Sequence, residues 1–276
     1  MSAIPYETFV LRNAGYVPPA VQQRLAGLRI LIAGCGMGSV LAEVLLRLGV
    51  LHLHLVDGDV VEGHNLNRQD FAATDLGRAK VDALRERLLA INPAATIVAV
   101  RGLVTPDNAA ALVAGCDLVV DTIDFLALEG VIALHDAARA QGRPVLSALN
   151  IGFGGGVIYL PAGGPCTARQ LFGLPETGPV DGYSYVACYS ALVQRIGAHL
   201  DPQVARVLAS AMHVLADGRP CPAPQVAAGS YAMAAMAGTV VVRLLAGDPV
   251  PAAPRMMLLS LNEIVTGHGC ELGRGA

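Results

Sequence analysis

Lysine is almost missing from this chain. Lys80 is the only one in 276 residues, and the other eighteen basic side chains are all arginine. A chain that writes arginine everywhere else keeps this lysine for its compact, flexible ammonium, which suits a phosphate. Charge of any kind is scarce. Charged residues make up 15% of the chain against 54% hydrophobic, with a formal net charge of -3 and a pI near 6.1. That balance excludes the basic footprint of a nucleic-acid-binding surface. It points instead to a large buried fraction or a sizeable subunit interface. Tryptophan is absent, and no two of the six cysteines stand in a CxxC spacing. The N-terminal MSAIPYETFVLRN lacks a basic stretch followed by an apolar core, so no signal peptide is expected. The thiols are therefore expected to be reduced and the protein cytoplasmic. From Pro220 to Val242 there is no charged side chain. A membrane span needs about 20 predominantly apolar residues. This run carries Pro222, Pro224, Gln225, Gly229, Ser230 and Gly238 and is dominated by alanine, so it is expected to be a buried or interface helix, with no membrane contact.

What is present is organised around residues 29–80. A buried strand, Ile30 to Ala33, leads into the glycine turn Gly34-Cys35-Gly36-Met37-Gly38 and an apolar-faced helix to about Leu48. A second apolar run from Leu51 to Val56 ends on Asp57, completing a βαβ unit with an acid about twenty residues after the glycines. Further strands are expected at 95–100, 117–121 and 144–148, with helices at 77–91, 106–113 and 127–141. After residue 150 the glycine-rich NIGFGGGVIYL suggests a turn into antiparallel pairing, with a strand near 156–160. Helices near 187–199, 202–216 and 225–246 follow, then strands near 255–260 and 262–266. The expected fold is α/β: a Rossmann-like doubly wound sheet, parallel in its N-terminal half and continued by an antiparallel C-terminal half. It is expected to be one domain over 1–276. Residues 1–27 form an arm with a short helix from Pro18-Pro19 to Gly27, 28–150 the nucleotide-binding half, and 151–276 the antiparallel half with a helical insertion at about 187–216.

The glycine turn sets backbone N–H groups and a helix N-terminus against a phosphate. Alone it says only "nucleotide": a nicotinamide site would want G-x-G-x-x-G, and Ser39 departs from that spacing. The loop after Asp57 discriminates. Arg68 offers a planar fork and Lys80 a point charge, as a triphosphate with about four negative charges requires. In DLVVDTIDF, Asp121 ends a strand and Asp124 follows at the carboxyl edge where α/β sheets place ligands. A lone carboxylate there can coordinate Mg²⁺ beside phosphates, or either aspartate can cap the next helix.

In order and spacing, AGCGMGS, LVDGDVVEGHNLNRQ, LGRAK, INP and DLVVDTID resemble the ThiF/MoeB/HesA adenylyltransferases, relatives of ubiquitin-activating enzymes. The resemblance is good over about residues 8–160 and weaker at AAGSYAMAAMAGTVVVRLLAG. It implies ATP and Mg²⁺ as cofactors and attack by a carboxylate on the α-phosphate. The product would be an acyl-adenylate, with release of pyrophosphate. The carboxylate would be the C-terminus of a ubiquitin-like protein or a peptide, or a small acid. Matched by position, Gly34, Gly36 and Gly38 line the nucleotide and Asp57 binds ribose. Asn65, Arg68 and Lys80 hold the phosphates, Asp124 holds Mg²⁺, and Asp59, Gln69 and Asp121 complete the nucleotide-binding set. Arg12 matches an arginine that reaches into the partner subunit's ATP site, which implies a homodimer.

The chain departs from the family pattern in places. Met37 and Ser39 stand where further glycines are usual, and Phe125 where asparagine is usual. The family's two CxxC pairs are halved, with Arg169 after Cys166 and Gly273 after Cys270. A tetrahedral zinc site wants four Cys/His ligands, so zinc is not expected despite His268. Cys188, Cys166 and Cys221 all lie where the family often has an acceptor cysteine. The small apolar neighbours of Cys188 favour a buried inert thiol. Two other classes remain open: a non-catalytic dimeric scaffold or peptide-binding module that retains the fold, and an NAD(P)-dependent oxidoreductase, which would leave Arg68 and Lys80 unexplained.

Overall fold

The computed structural model describes residues 4–124, 126–219 and 224–267. In chain order, α1 (Tyr6–Phe9) and α2 (Pro19–Gly27) precede β1 (Arg29–Ala33), α3 (Gly38–Leu48), β2 (His52–Asp57) and α4 (Lys80–Ile91). Then come β3 (Thr96–Arg101), α5 (Ala109–Val113), β4 (Leu118–Asp121), α6 (Leu128–Ala140), β5 (Val145–Ile151) and β6 (Gly154–Leu160). The remainder is α7 (Ala168–Phe172), α8 (Tyr185–Gly197), α9 (Pro202–Ala216), α10 (Ala227–Ala246), β7 (Met256–Ser260) and α11 (Leu261–Gly267). One seven-stranded sheet carries the order β3-β2-β1-β4-β5-β6-β7. Its first five strands are parallel, and β6 and β7 are added antiparallel. The parallel-then-antiparallel expectation therefore holds.

The reason lies in the residue pattern. β1 and β4 are apolar on both faces and buried almost throughout, as strands covered by helices must be. On one face, Leu41, Leu45 and Leu46 of α3 and Leu84 and Leu88 of α4 pack with Ile30, Ile32 and Leu55. On the other, Leu134 and Ala138 of α6 meet Leu31, Val119 and Val145. The glycines of β6 admit α10: a Cβ at Gly155 would lie 2.6 Å from Cβ of Met233.

Helix α10 is long and apolar enough to cross a membrane by length and composition, the one such helix among the described residues. Met233, Ala234, Ala237, Val240 and Val241 are buried in the core, so it is the buried helix anticipated. The N-terminal arm is not free in solvent. Tyr6 donates its hydroxyl to the Gly49 carbonyl (3.0 Å), and Asn13 and Gln22 donate to the Leu48 carbonyl (3.2 and 2.8 Å), which together cap the end of α3.

Two expectations need correction. Residues 262–266 are not a strand but lie in α11. The β-branched Ile264-Val265-Thr266 suggested pairing, but Ser260 already sits opposite Gly154, the first residue of β6. Beyond it no strand remains to pair with among the described residues. The Leu261 N–H instead donates to the Phe153 carbonyl in the turn (3.0 Å), and the chain coils. Helix α4 starts at Lys80 rather than at residue 77. Residues 77–79 are occupied in a short antiparallel bridge: Gly77 N–H donates to the Val61 carbonyl, and Ala79 pairs with Val60.

Tyr231 of α10 donates to Oδ1 of Asp70 at 2.7 Å, tying the helix to the loop before α4. That bond pushes the phenol up to about 12 from its ordinary 10.0. The folded state therefore holds this proton more tightly than the unfolded chain. The associated stability is full below pH about 10 and is lost as pH rises through about 12. Tyr231→Phe is expected to flatten that part of the pH dependence, read from urea midpoints on either side of the window.

Candidate functional site

The sheet reverses direction of growth between β1 and β4, and in such sheets ligands bind outside the carboxyl ends of the strands at that point. A cavity of about 460 Å³ opens there, lined from Gly34 and Gly36 through the loop after β2 to Asp121 and Asp124. Gly34 turns the chain out of β1 with φ +88, and its N–H donates to the Val56 carbonyl (2.9 Å). A Cβ there would stand 2.4 Å from the Thr122 carbonyl oxygen. Thr122 donates its hydroxyl to the Gly34 carbonyl at 2.6 Å, locking the turn to the end of β4. Gly38 opens α3, where a Cβ would meet Thr122 Oγ1 at 2.7 Å and Ile32 Cγ2 at 2.8 Å. No side chain caps α3, and of its first amides Ser39 N–H closes on the Gly36 carbonyl (3.3 Å).

Asp57 fixes the turn from the other side. Its Oδ2 accepts from the Cys35 N–H (2.6 Å) and its Oδ1 from the Asp59 N–H (2.7 Å). Burial pushes its carboxyl up, while the Asp59 amide, Lys80 and the Cys35 amide pull it down. Ser39, where the dinucleotide pattern fails, donates to the Gly36 carbonyl (2.6 Å) and accepts from the Asp70 N–H (3.0 Å). It is a joint between turn and loop.

In that loop Asn65 is buried and its Oδ1 accepts from the Glu62 N–H (3.0 Å), while its carbonyl accepts from the amides of Arg68 and Gln69. Arg68 donates to Gln225 Oε1 (2.5 Å), the His64 carbonyl (2.7 Å) and Asn67 Oδ1 (3.0 Å). Burial lowers its pKa and the field of Asp124 opposes that; both residues line the cavity. Gln69 lies under Gly36, with its Oε1 buried and lacking a protein partner. Lys80 donates to Asp59 Oδ2 at 2.8 Å, and the pair is lopsided: the lysine side chain is 8% exposed, the aspartate 63%. The bridge that delays α4 sets this geometry, because Lys80 N–H also donates to the Asp59 carbonyl (3.0 Å).

Asp121 ends β4 but turns inward. Its Oδ2 lies 2.9 Å from His135 Nε2 and accepts from Ser147 Oγ (3.1 Å). Ser147 also lies 3.2 Å from the same Nε2. Serine and aspartate thus share one ring nitrogen, which is not the in-line arrangement of a serine hydrolase. Asp124 is exposed and its Oδ1 accepts from the Leu126 N–H (3.0 Å). Neither aspartate caps α6, whose N-cap is Ala127. Arg12 sits exposed in a 3₁₀ turn, Leu11–Asn13, away from the cavity lining of its own chain.

The far wall of the cavity comes from α8 and α9. Tyr189 closes on the polar end. Burial pushes its phenol well up, reinforced by the nearby charges of Asp121 and Asp124. Cys188 is buried beside it among Leu128, Ile132 and Leu192, and burial pushes its thiol up, as expected of an inert cysteine. Cys166 is half-buried, while Cys221, Cys270, His268 and Phe125 lie outside the described residues. Among the described residues no three His, Cys, Asp or Glu side chains cluster for a metal.

The cavity gathers Gly34, Gly36, Asp57, Asp59, Asn65, Arg68, Gln69, Lys80, Asp121 and Asp124. It also includes residues that motif reading did not single out: His135, Ser147, Tyr189 and Gln225. Thr122 was visible within the DTID motif but carried no charge to flag it. His135, Ser147 and Tyr189 lie on helix or strand positions that look like core, and Gln225 in the segment before α10, far from the motifs in sequence.

Comparison with known proteins gives consistent matches. The ThiF family profile matches residues 10–270. The adenylyltransferase and sulfurtransferase MOCS3 of Sus scrofa is 40% identical over 196 residues, covering 66% of this chain and 42% of that protein. The SAMP-activating enzyme E1 of Haloferax volcanii is 30% identical over 205 residues, covering 74% of this chain and 75% of that protein. Among solved structures, the E. coli tRNA N6-threonylcarbamoyladenosine dehydratase TcdA in complex with ATP is 30% identical. It covers 53% of this chain and 61% of its own, with a TM-score of 0.50. The chain spans about two fifths of the length of the Sus scrofa relative.

Proposed function

Because the chain belongs to the ThiF family, we propose that it is an ATP-dependent adenylating enzyme acting on a carboxylate. One observation carries the reading: Arg68, Lys80 and Asp124 converge on a single cavity at an uncapped glycine turn. The residues fit the nucleotide. Beyond the Gly34 and Cys35 amides, which Val56 and Asp57 hold, the turn into α3 offers donors for phosphate oxygens, and Asp57 keeps acceptor capacity for ribose hydroxyls beyond its two backbone bonds. The unpartnered Gln69 Oε1 asks for a donor of the kind a nucleotide supplies. Asn65 holds Arg68 through its carbonyl, Asp59 holds Lys80, and the two cations neutralise the phosphates. Asp124 would hold Mg²⁺, an ion bound through one or two carboxylates plus substrate phosphates. That ion supplies charge neutralisation on the leaving group.

In the reaction, a carboxylate oxygen attacks the α-phosphorus and the bond to the bridging oxygen breaks. Pyrophosphate leaves with the electron pair, and an acyl-adenylate remains. The chain's work is positioning and electrostatic stabilisation rather than covalent chemistry. The carboxylate is the C-terminus of a ubiquitin-like protein or peptide, or a small acid. Arg12, exposed and outside its own cavity, completes the site of a second copy in a homodimer.

The test is exchange of labelled pyrophosphate into ATP in the presence of candidate carboxylates, with and without Mg²⁺. Asp124→Asn is expected to lower exchange by about 10²-fold or more, because one charge-stabilising group is removed, while the melting temperature stays put. Exchange unchanged in this variant would remove Asp124 from the chemistry. A folded wild-type protein that neither binds ATP nor exchanges pyrophosphate would overturn the adenylation reading.

A further inference from the structure

The cavity is larger than its phosphate-facing rim, and its two ends differ in kind. At one end stand Asp57, Asp59, Arg68, Lys80 and Asp124. At the other, α8 presents Leu192, Val193 and Ile196, and α9 presents Leu208, Ala211 and Met212. On α8 the lining residues fall at 189, 192, 193 and 196, and on α9 at 208, 211 and 212. This is the i, i+3, i+4 spacing of one stripe on each helix. No charged side chain from either helix reaches the lining. The nearest arginine on α8, Arg195, points elsewhere and donates to the Ala191 and Leu171 carbonyls. Phe172, itself in the lining, packs tilted against Tyr189 with ring centroids 5.0 Å apart, and so extends the apolar wall toward the polar end.

From this arrangement we infer that the apolar recess between α8 and α9 receives the acyl part of the substrate. The carboxylate activated here therefore belongs to an acid with a bulky apolar side chain close to the carboxyl group. A Gly-Gly tail has no side chain to place there and would leave the two stripes facing water, which apolar surface resists. A leucine- or phenylalanine-sized group fills the recess and displaces that water. Tyr189, Asp121 and Asp124 line the same cavity as the two stripes, so the recess is continuous with the phosphate site rather than a separate surface. The inference rests on the adenylation reading for the reaction, but the recess itself does not.

Two measurements separate the two. The first is pyrophosphate exchange with a short peptide ending in leucine, with N-acetyl-leucine, and with a peptide ending in Gly-Gly. The leucine acids are expected to exceed the Gly-Gly peptide at least tenfold, since a hydrophobic pocket discriminates about 10- to 200-fold per methylene. Whether the peptide or the free acid is better tells which source the recess accepts. Val193→Asp and Met212→Asp, both on cavity-facing, partly exposed positions, are expected to lose the leucine-driven exchange tenfold or more while ATP titrates as in the wild type. The second is saturation-transfer NMR on the leucine acids without ATP, expected to show transfer to the leucine methyl groups that both variants abolish. A Gly-Gly peptide that drives exchange as well as the leucine acids overturns the inference and leaves adenylation standing. Absence of methyl transfer in the wild-type protein overturns it as well. Failure of ATP to bind, with methyl transfer intact, overturns adenylation and leaves the recess.

Discussion

Lys80→Met is expected to reduce pyrophosphate exchange by about 10²- to 10³-fold, the usual cost of removing one preorganised charge-stabilising group, without destabilising the protein. The two halves of that expectation come from the same lopsided pair. The ammonium is buried at the start of α4, held 2.8 Å from Asp59, while Asp59 faces solvent. Burying a charge is costly, and replacing it with an apolar side chain of similar length is often neutral or stabilising. Asp59, once released, simply returns to water. The reverse substitution behaves differently: Asp59→Ala strands the ammonium and is expected to lower stability more than Lys80→Met does. Thermal melting of both variants, with calorimetric titration of ATP·Mg²⁺, checks the ordering. Exchange within a few-fold of the wild type in Lys80→Met would remove this lysine from the phosphate site.

Gly34→Ala is the second large effect, and here stability and activity are expected to fall together. The residue holds φ +88, a region that costs a side chain about 1–3 kcal/mol. A Cβ would also sit 2.4 Å from the carbonyl oxygen of Thr122 and 2.6 Å from its carbonyl carbon. Both are backbone atoms, so no rotamer change relieves the clash, and overpacking adds about 1–3 kcal/mol more. The Thr122 segment has to move, and Asp124 is two residues further on. A lower urea midpoint together with loss of ATP binding is the expected result. A Gly34→Ala protein with the wild-type midpoint would mean the turn is looser than this geometry allows.

Much of the molecule was legible in the chain before any coordinates. The alternation of short apolar runs with amphipathic helices led to the parallel sheet, and Gly154–Gly156 led to the antiparallel addition, because period and glycine content are local properties. Lys80 stood out by composition alone. The error at 262–266 shows where local reading fails: Ile264-Val265-Thr266 prefers a strand by sterics, but a strand needs a neighbour, and the ladder ends at Ser260 opposite Gly154.

What sequence by itself determined was the order of elements, the glycine turn, and the set of charged residues brought to one edge, since each depends on residue type and spacing along the chain. Tertiary structure alone decided how those charges are held. It paired buried Lys80 with Asp59, turned Asp121 inward to His135 and Ser147, gave Arg68 its Gln225 partner from 157 residues away, and folded α8 and α9 over the cavity as an apolar wall. These contacts join residues distant in the chain. No local period encodes them, because they exist only once the sheet has set the distances between its strand ends.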